Sequence, residues 1–196
     1  IWSNNQYEQG SSIGVPANNF NLLSMVNASG SDRTQSSYLY TDEAGRLVLF
    51  FESGKVEWSS DTGYGGSTLR YEFPRSYVGP EMTERNFAYL QPKSVIYDIK
   101  GEGKPKLIVI KNIEVSDYLF ANTRVYNKGS IEIHSFNDLG LSFESAPKKF
   151  QGPVTSIAIG DFDNDGKVEL LVSMLKKASS ILATKDRSVL VAFELE

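Results

Sequence analysis

The chain contains no cysteine and a single histidine, His134. The first absence excludes disulfides, thiol nucleophiles and zinc–cysteine sites, and the second excludes any metal site that needs two histidines. His134 lies in the sequence I-E-I-H-S-F, where strand alternation places it on the same face as Glu132 and opposite the two isoleucines. We interpret it as a strand histidine rather than a catalytic base. No catalytic residue is predicted, and we expect a protein that is not an enzyme.

Long apolar runs are lacking as well. The longest, residues 47–51 and 189–193, have five residues each, whereas a helix that spans a bilayer needs about 20. The sequence therefore predicts no transmembrane segment. Acidic residues (24) outnumber basic ones (20) and form no basic stripe. A nucleic-acid partner is not expected, because phosphate backbones select basic surfaces.

The apolar clusters that do occur have the length of β-strands, for example L-V-L-F-F, L-I-V-I and V-L-V-A-F. Turn-forming sequences such as E-S-G-K, N-D-L-G and N-D-G-K separate them, a pattern typical of antiparallel hairpins. This alternation of strand-length apolar segments and turn sequences predicts an all-β fold. The best helix candidate is the short segment P-E-M-T-E-R-N-F-A, which begins at Pro80.

Two segments repeat a strand, an acidic glycine-containing turn and a second strand. They are S-V-I-Y-D-I-K-G-E-G-K-P-K-L-I-V, with its turn at Asp98, and S-I-A-I-G-D-F-D-N-D-G-K-V-E-L-L-V, with its turn at Asp161. An eroded third copy, T-D-E-A-G-R-L-V-L, contains Asp42. Internal repeats of this kind indicate that the core is assembled from similar units.

A second pair of segments indicates where each of these units begins and ends in the chain. I-W-S-N-N-Q at Ile1 matches E-W-S-S-D-T at Glu57, which follows the turn at Gly54. With the intervening strands, each unit has four strands, as in a β-propeller blade. We therefore predict antiparallel four-stranded blades in a single propeller segment over residues 1–196, with units of about 1–60, 61–150 and 151–196.

The segment around Asp161 resembles the FG-GAP or VCBS-type repeat of integrin-α-like β-propellers, whose signature is strand, D-x-D-x-D-G-x-x-[DE], strand. The resemblance is strongest over residues 92–196. It implies a bladed propeller outside the cytoplasm, whether periplasmic, on the cell surface or secreted. It also implies a role in adhesion, ligand binding or scaffolding. Similar repeats occur beside catalytic domains and in some lectins.

The residue types of the Asp161 loop predict a calcium site independently. Ca²⁺ takes six to eight oxygen ligands, which alternating carboxylates in a tight loop supply. The candidate ligands at positions 1, 3, 5, 7 and 9 are Asp161, Asp163, Asp165, the Lys167 carbonyl and Glu169. Gly166 permits the sharp turn, and the flanking strands exclude an EF-hand. The alternative is an acidic turn without metal, but its three carboxylates would then repel one another.

The Asp98 loop differs at the ligand positions. In the same frame, positions 3 and 9 are Lys100 and Lys106, and position 5 is Glu102. We expect the two ammonium groups to neutralise Asp98 and Glu102 in place of a metal. The sequence thus predicts one calcium site rather than two.

Three units are too few to close a propeller ring, and an open array leaves strand edges uncovered. We expect the remaining blades to come from sequence beyond this segment or from another chain. The alternatives are an oligomer that completes the ring and a β-sandwich. Residues 1–3, which match the fourth strand at Trp58, are expected to pair with a blade supplied from outside.

The predicted function is that of a calcium-pinned, extracytoplasmic propeller segment that binds or scaffolds a protein or glycan partner. One alternative is a lectin-like carbohydrate binder, and another is an accessory part of an enzyme that acts on a polysaccharide or a phosphoester. Tyrosines that bear on the lectin alternative are Tyr64, Tyr71, Tyr77, Tyr118 and Tyr126. We favour the interpretation that these rings pack loops onto strand edges.

Overall fold

The structure, a computed structural model, is built of antiparallel β-sheets. It describes residues 2–3, 6–7, 10, 12–16, 20–29, 36–72, 87–115, 124–176 and 187–195. Within these ranges the one helical element is the 3₁₀ turn Leu22–Ser24, and no helix has the length and apolarity needed to cross a membrane. The predicted all-β fold is confirmed, and no sheet in the described part closes on itself.

A short hairpin opens the described chain. Strand β1 (Trp2–Ser3) pairs antiparallel with β2 (Gln6–Tyr7). The expectation that this segment pairs with a blade from outside therefore differs from the structure, where its partner lies in the same chain. Pairing within the chain is favoured because the two strands are separated by only two residues, so that bringing them together costs little loop-closure entropy.

Sheet I is a meander of four antiparallel strands. Its strands are β3 (Val26–Asn27), β4 (Ser37–Thr41), β5 (Arg46–Phe51) and β6 (Val56–Gly63). The turns on either side of β5 contain Gly45 and Gly54, whose φ angles are 83° and 85°. Glycine is favoured at both positions because other residues are strained in this left-handed region.

A two-stranded hairpin, β7 (Arg70–Glu72) and β8 (Phe87–Tyr89), follows sheet I. The helix predicted from Pro80 falls mostly outside the described residues. Its last two residues, Phe87 and Ala88, lie in β8 rather than in a helix. Phe87 packs its ring edge-on against Tyr89, with the centroids 5.4 Å apart.

Sheet II is a second meander of four antiparallel strands, and sheet III is a meander of three. The strands of sheet II are β9 (Val95–Tyr97), β10 (Lys106–Glu114), β11 (Tyr126–Asn137) and β12 (Gly140–Phe150). Those of sheet III are β13 (Val154–Gly160), β14 (Glu169–Lys176) and β15 (Arg187–Glu194). Strand neighbours in each sheet are also neighbours in the chain, as in propeller blades.

The three large sheets stack face to face, with sheet II in the middle. Leu107 and Val109 of β10 pack on Leu47 and Leu49 of sheet I. The side chains on the opposite face of β10, Ile108 and Ile110, pack on sheet III. The sequences of β5 and β10 contain consecutive apolar residues because both faces of each strand are buried.

Candidate metal site

The Asp98 and Asp161 loops occupy equivalent places in sheets II and III. Each joins the first strand of its sheet to the second, between the paired residues Tyr97 and Lys106 in one case and Gly160 and Glu169 in the other. The two loops are therefore equal in length. The repeat noted in the sequence corresponds to a repeated structural position.

The backbone conformations of the two loops match as well. The fourth loop position is left-handed in both, with φ of 64° at Gly101 and 62° at Asn164. The sixth is also left-handed, with φ of 73° at Gly103 and 88° at Gly166. Asparagine is one of the few residues besides glycine that tolerates this region, because its short side chain hydrogen-bonds locally.

In the Asp161 loop, backbone amides orient the acidic side chains. The Asp161 carboxylate accepts hydrogen bonds from the N–H of Asp165 at 3.2 Å and of Gly166 at 3.0 Å. Asp163 accepts from the N–H of Asp165 at 3.2 Å, and Asp165 accepts from Lys167 at 2.8 Å. These local bonds are available to Asp because its carboxylate reaches backbone amides a few residues ahead.

Glu169 closes the site from the first residue of β14. Its side chain is buried, at 5% exposure, and its Oε2 accepts a hydrogen bond from the N–H of Phe162 at 2.8 Å. The bond uses one carboxylate oxygen and leaves Oε1 without a hydrogen bond from Phe162. A buried carboxylate beside three exposed ones is unfavourable unless a cation offsets the charge.

The distances between the carboxylate oxygens of the Asp161 loop are compatible with a bound calcium ion. One carboxylate oxygen from each of Asp161, Asp163, Asp165 and Glu169 lies within 4.8 Å of the other three. Two oxygens on opposite sides of a calcium ion lie about 4.6–5.2 Å apart, since each Ca–O distance is 2.3–2.6 Å. The structure therefore brings four of the five predicted ligands together around one centre.

The fifth predicted ligand is the backbone carbonyl of Lys167, which stays a prediction. The Lys167 N–H donates a hydrogen bond to Asp165, and the ammonium forms an ion pair with Glu194 of β15 at 2.9 Å. The side chain is thus directed to the neighbouring strand rather than to the carboxylate cluster.

The Asp98 loop keeps the turn but replaces the ligands. Asp98 accepts hydrogen bonds from the N–H of Glu102 at 3.2 Å and of Gly103 at 2.6 Å, as Asp161 does in its loop. The expected neutralisation by Lys106 is wrong, because its ammonium pairs with Glu144 of β12. This hydrogen bond lowers the pKa of Glu144 against the opposing effect of partial burial. Strand β11 lies between β10 and β12, so the long side chain of Lys106 crosses β11 to reach Glu144.

The proposed third copy of the acidic turn occupies a different place. The Asp42 turn joins the second and third strands of sheet I, whereas the other two loops join first and second strands. Asp42 instead forms an ion pair with Arg46 at 2.8 Å and accepts a hydrogen bond from the Arg46 N–H. It is an ordinary hairpin turn, and the sequence similarity is local.

His134 lies between sheets I and II, away from the acidic loops. It is 3% exposed, and its ring makes edge-on contacts with Tyr64 at 5.4 Å and Phe143 at 5.7 Å. Its Nε2 lies 3.4 Å from Glu132 Oε2, and Glu132 also pairs with Lys111 at 3.2 Å. Burial lowers the pKa of His134, and the neighbouring Glu132 opposes that shift.

The loop tyrosines differ in their surroundings. Tyr126 is buried at 5% exposure, and this burial raises its pKa. Tyr64 packs on His134, whereas Tyr71 is 53% exposed. Tyr77 and Tyr118 lie outside the described residues. Two of the three described rings therefore pack against the sheets.

Sequence reasoning missed Asn112 of β10, whose side chain joins sheet II to sheet III and to the segment that follows sheet I. Its amide nitrogen donates to the carbonyls of Gly66 at 2.8 Å and Val154 at 2.7 Å. Its oxygen accepts from the Val154 N–H at 2.8 Å. A lone asparagine at the end of an apolar strand carries no signal for this role, since both partners are distant in sequence.

The chain matches no known protein-family profile, no curated protein and no solved structure. Its functional interpretation therefore depends on the geometry of the site itself.

Proposed function

We propose that this chain is a calcium-stabilised segment of a β-propeller that acts outside the cytoplasm and binds a protein or glycan partner. The observation that carries the proposal is the convergence of Asp161, Asp163, Asp165 and Glu169 within 4.8 Å at the position where the resemblance to FG-GAP or VCBS repeats places a calcium loop. Backbone N–H bonds hold these carboxylates in place before an ion arrives. A preorganised site binds its ion with less loss of conformational entropy.

The stacking of the sheets supports the propeller part of the proposal. Sheets I, II and III are chain-ordered meanders, and sheet II buries both of its faces between the other two. A two-layer sandwich has one core between two sheets, whereas a row of blades has one core between each neighbouring pair. The two separate clusters around β10 favour the row of blades.

The chemistry of the loop supports a position outside the cytoplasm. Asp161, Asp163 and Asp165 are exposed to solvent, so water competes for the ion. We expect a dissociation constant of roughly 0.1–1 mM, the range of extracellular calcium modules. Such a site fills only where calcium is abundant. The ion then acts as a structural clamp between β13 and β14, and the acidic side chains serve as ligands rather than as catalytic groups.

The binding role is supported by apolar side chains at the outer hairpin of sheet II. Leu139, in the turn between β11 and β12, is 87% exposed, and Phe143 in β12 is 59% exposed. Contiguous exposed apolar surface marks protein-binding sites, and we propose that Leu139 and Phe143 form such a surface. The double substitution Leu139→Ser and Phe143→Ser would abolish capture of a protein partner while leaving the calcium response intact.

The experiment that tests the calcium site is thermal unfolding with and without the ion. At a calcium concentration ten times the dissociation constant, the free energy of unfolding should rise by about 1.4 kcal/mol. Magnesium at the same concentration should give a much smaller rise, because it demands octahedral geometry and releases water reluctantly. A melting temperature that is the same in calcium and in chelator would refute the proposal.

A further inference from the structure

A cleft between sheets II and III is large enough for a small organic molecule. It has a volume of about 370 Å³, within the range of roughly 300–1,000 Å³ that is usual for ligand pockets. It opens beside the Asp98 loop and contains no side chain of the Asp161 carboxylate cluster. The cleft is therefore distinct from the carboxylate cluster, although Glu194 at its rim pairs with Lys167 of the Asp161 loop.

The floor of the cleft is apolar. Ile108, Ile131 and Leu170 lie beneath the cleft and are buried, so they support its floor and offer little surface to a ligand. The apolar surface that a ligand can contact comes from partly exposed side chains, among them Ile133 of sheet II and Phe193 of sheet III. A ligand with an apolar or aromatic body fits this floor.

The rim of the cleft carries the ammonium groups of three lysines. Lys100 and Lys104 come from the Asp98 loop, and Lys148 comes from β12. In the described part of the chain, none of the three forms an ion pair, and the ammonium of Lys148 lies over the ring of Phe193, 4.3 Å from its centroid. An ammonium held over a ring at the edge of a cleft remains accessible to an anion.

The acidic groups at the same rim are mostly occupied. Glu144 pairs with Lys106, and Glu194 pairs with Lys167 at 2.9 Å. Asp98 is turned into its own loop, where it accepts two backbone N–H bonds. With these two ion pairs set aside, the ammonium groups of Lys100, Lys104 and Lys148 face the carboxylates of Asp98 and Glu102. The rim then has a surplus of one positive charge, although the whole chain carries a net charge of −4.

We propose that this cleft between sheets II and III binds a small anionic amphiphile, that is, a carboxylate or sulfonate joined to an apolar body. The apolar body contacts Ile133 and Phe193, and the anionic group contacts Lys104 and Lys148. These two ammonium groups form no ion pair in the described part of the chain, which favours an anionic over a cationic ligand, and the apolar floor favours a ligand with an apolar body over a free inorganic anion. This site is additional to the proposed calcium clamp.

The test uses two dyes that differ by one anionic group. Anilinonaphthalene sulfonate carries a sulfonate, and phenylnaphthylamine has the same aromatic body without it. In calcium-containing buffer we expect the sulfonate to bind with one-to-one stoichiometry and more tightly than the neutral dye. Lys104→Gln and Lys148→Gln should each weaken sulfonate binding about three- to fivefold, the effect of losing one exposed ion pair, and should leave the neutral dye unchanged.

Two further variants complete the experiment. Ser145 is exposed on β12 at the cleft, so Ser145→Trp should fill the space from outside the core and abolish binding of both dyes. Lys55→Gln in sheet I removes an exposed charge far from the cleft and should change neither affinity. The proposal is overturned if the lysine variants at the cleft bind the sulfonate as the wild type does, if Lys55→Gln weakens it equally, or if the neutral dye binds as tightly as the sulfonate.

Discussion

Asp98 and Asp161 are structural equivalents. Each follows the first strand of its sheet, and each carboxylate accepts hydrogen bonds from the backbone N–H groups four and five residues ahead. The two loops therefore share their backbone conformation, although one loop carries an acidic cluster and the other carries lysines. The turn depends on the first aspartate and on left-handed residues, and metal binding depends on the side chains between them.

This equivalence predicts different calcium responses for the same substitution. Asp161→Asn should abolish the rise in melting temperature caused by calcium, because it removes a charged ligand. Asp98→Asn should destabilise the protein by about 1–2 kcal/mol, the cost of a hydrogen bond to a charged group, equally with and without calcium. Each variant is the control for the other in thermal unfolding. Loss of the calcium response in Asp98→Asn, or its survival in Asp161→Asn, would contradict the assignment.

The shared backbone also predicts which residues Gly101 can be exchanged for. A Cβ atom at this position meets no other atom within 4 Å, and its counterpart in the other loop is Asn164 with nearly the same φ. Gly101→Asn should therefore change the free energy of unfolding by less than about 0.5 kcal/mol. Gly101→Val should cost about 1–2 kcal/mol, since a β-branched residue is strained at positive φ. Chemical denaturation of both variants measures the difference, and equal stabilities would mean that the loop has another conformation.

The sequence predicted the local features of this molecule better than the distant ones. The strands at Leu47 and Leu107 and the four converging carboxylates follow from residue patterns within a few positions, and hydrogen bonds within the loop depend only on near neighbours. The partner of Lys106 could not be predicted, because Glu144 is 38 residues away in sequence. Its position depends on the register of β11 and β12, which is shifted by irregularities near Ile133.

Asn112 supplies a prediction about how the sheets are joined. Asn112→Asp keeps the shape of the side chain and its acceptor oxygen but removes the two donors that bind Gly66 and Val154. It also places a carboxylate oxygen against two carbonyl oxygens. We expect a loss of about 1–3 kcal/mol in the free energy of unfolding, because two half-buried carbonyls lose this hydrogen-bond donor. The measurement is denaturant unfolding followed by tryptophan fluorescence.

Asn137→Asp is the matched control for that experiment. Asn137 is the exposed last residue of β11, and its oxygen accepts a hydrogen bond from the Leu139 N–H at 2.8 Å. Its amide nitrogen donates to the Ser142 hydroxyl. An aspartate accepts the first bond and can accept a hydrogen bond from the Ser142 hydroxyl in place of the second, so we expect a change within about 0.5 kcal/mol, as for most surface substitutions. If Asn112→Asp were as mild as this control, the side chain would not hold the sheets together.

The last prediction concerns pH and His134. Its burial between sheets I and II lowers its pKa in the folded protein, and Glu132 only opposes this effect. Above about pH 6.5, the ordinary pKa of histidine, both the folded and the unfolded chain hold the ring neutral. As the pH falls below that value, the unfolded chain binds a proton that the folded chain resists. Stability should therefore decline towards acid, by at most about 1.4 kcal/mol per pH unit.

Denaturant unfolding between pH 5.5 and 7.5 at constant calcium isolates this effect, because ordinary carboxylates titrate below that range, near pH 4. His134→Gln cannot bind the proton, so its stability should stay level across the same range, whatever its absolute value. The sign of the slope decides between the two influences on the ring. Stability that rises towards acid in the wild type would mean that the ion pair with Glu132, 3.4 Å from Nε2, outweighs burial and raises the pKa of His134.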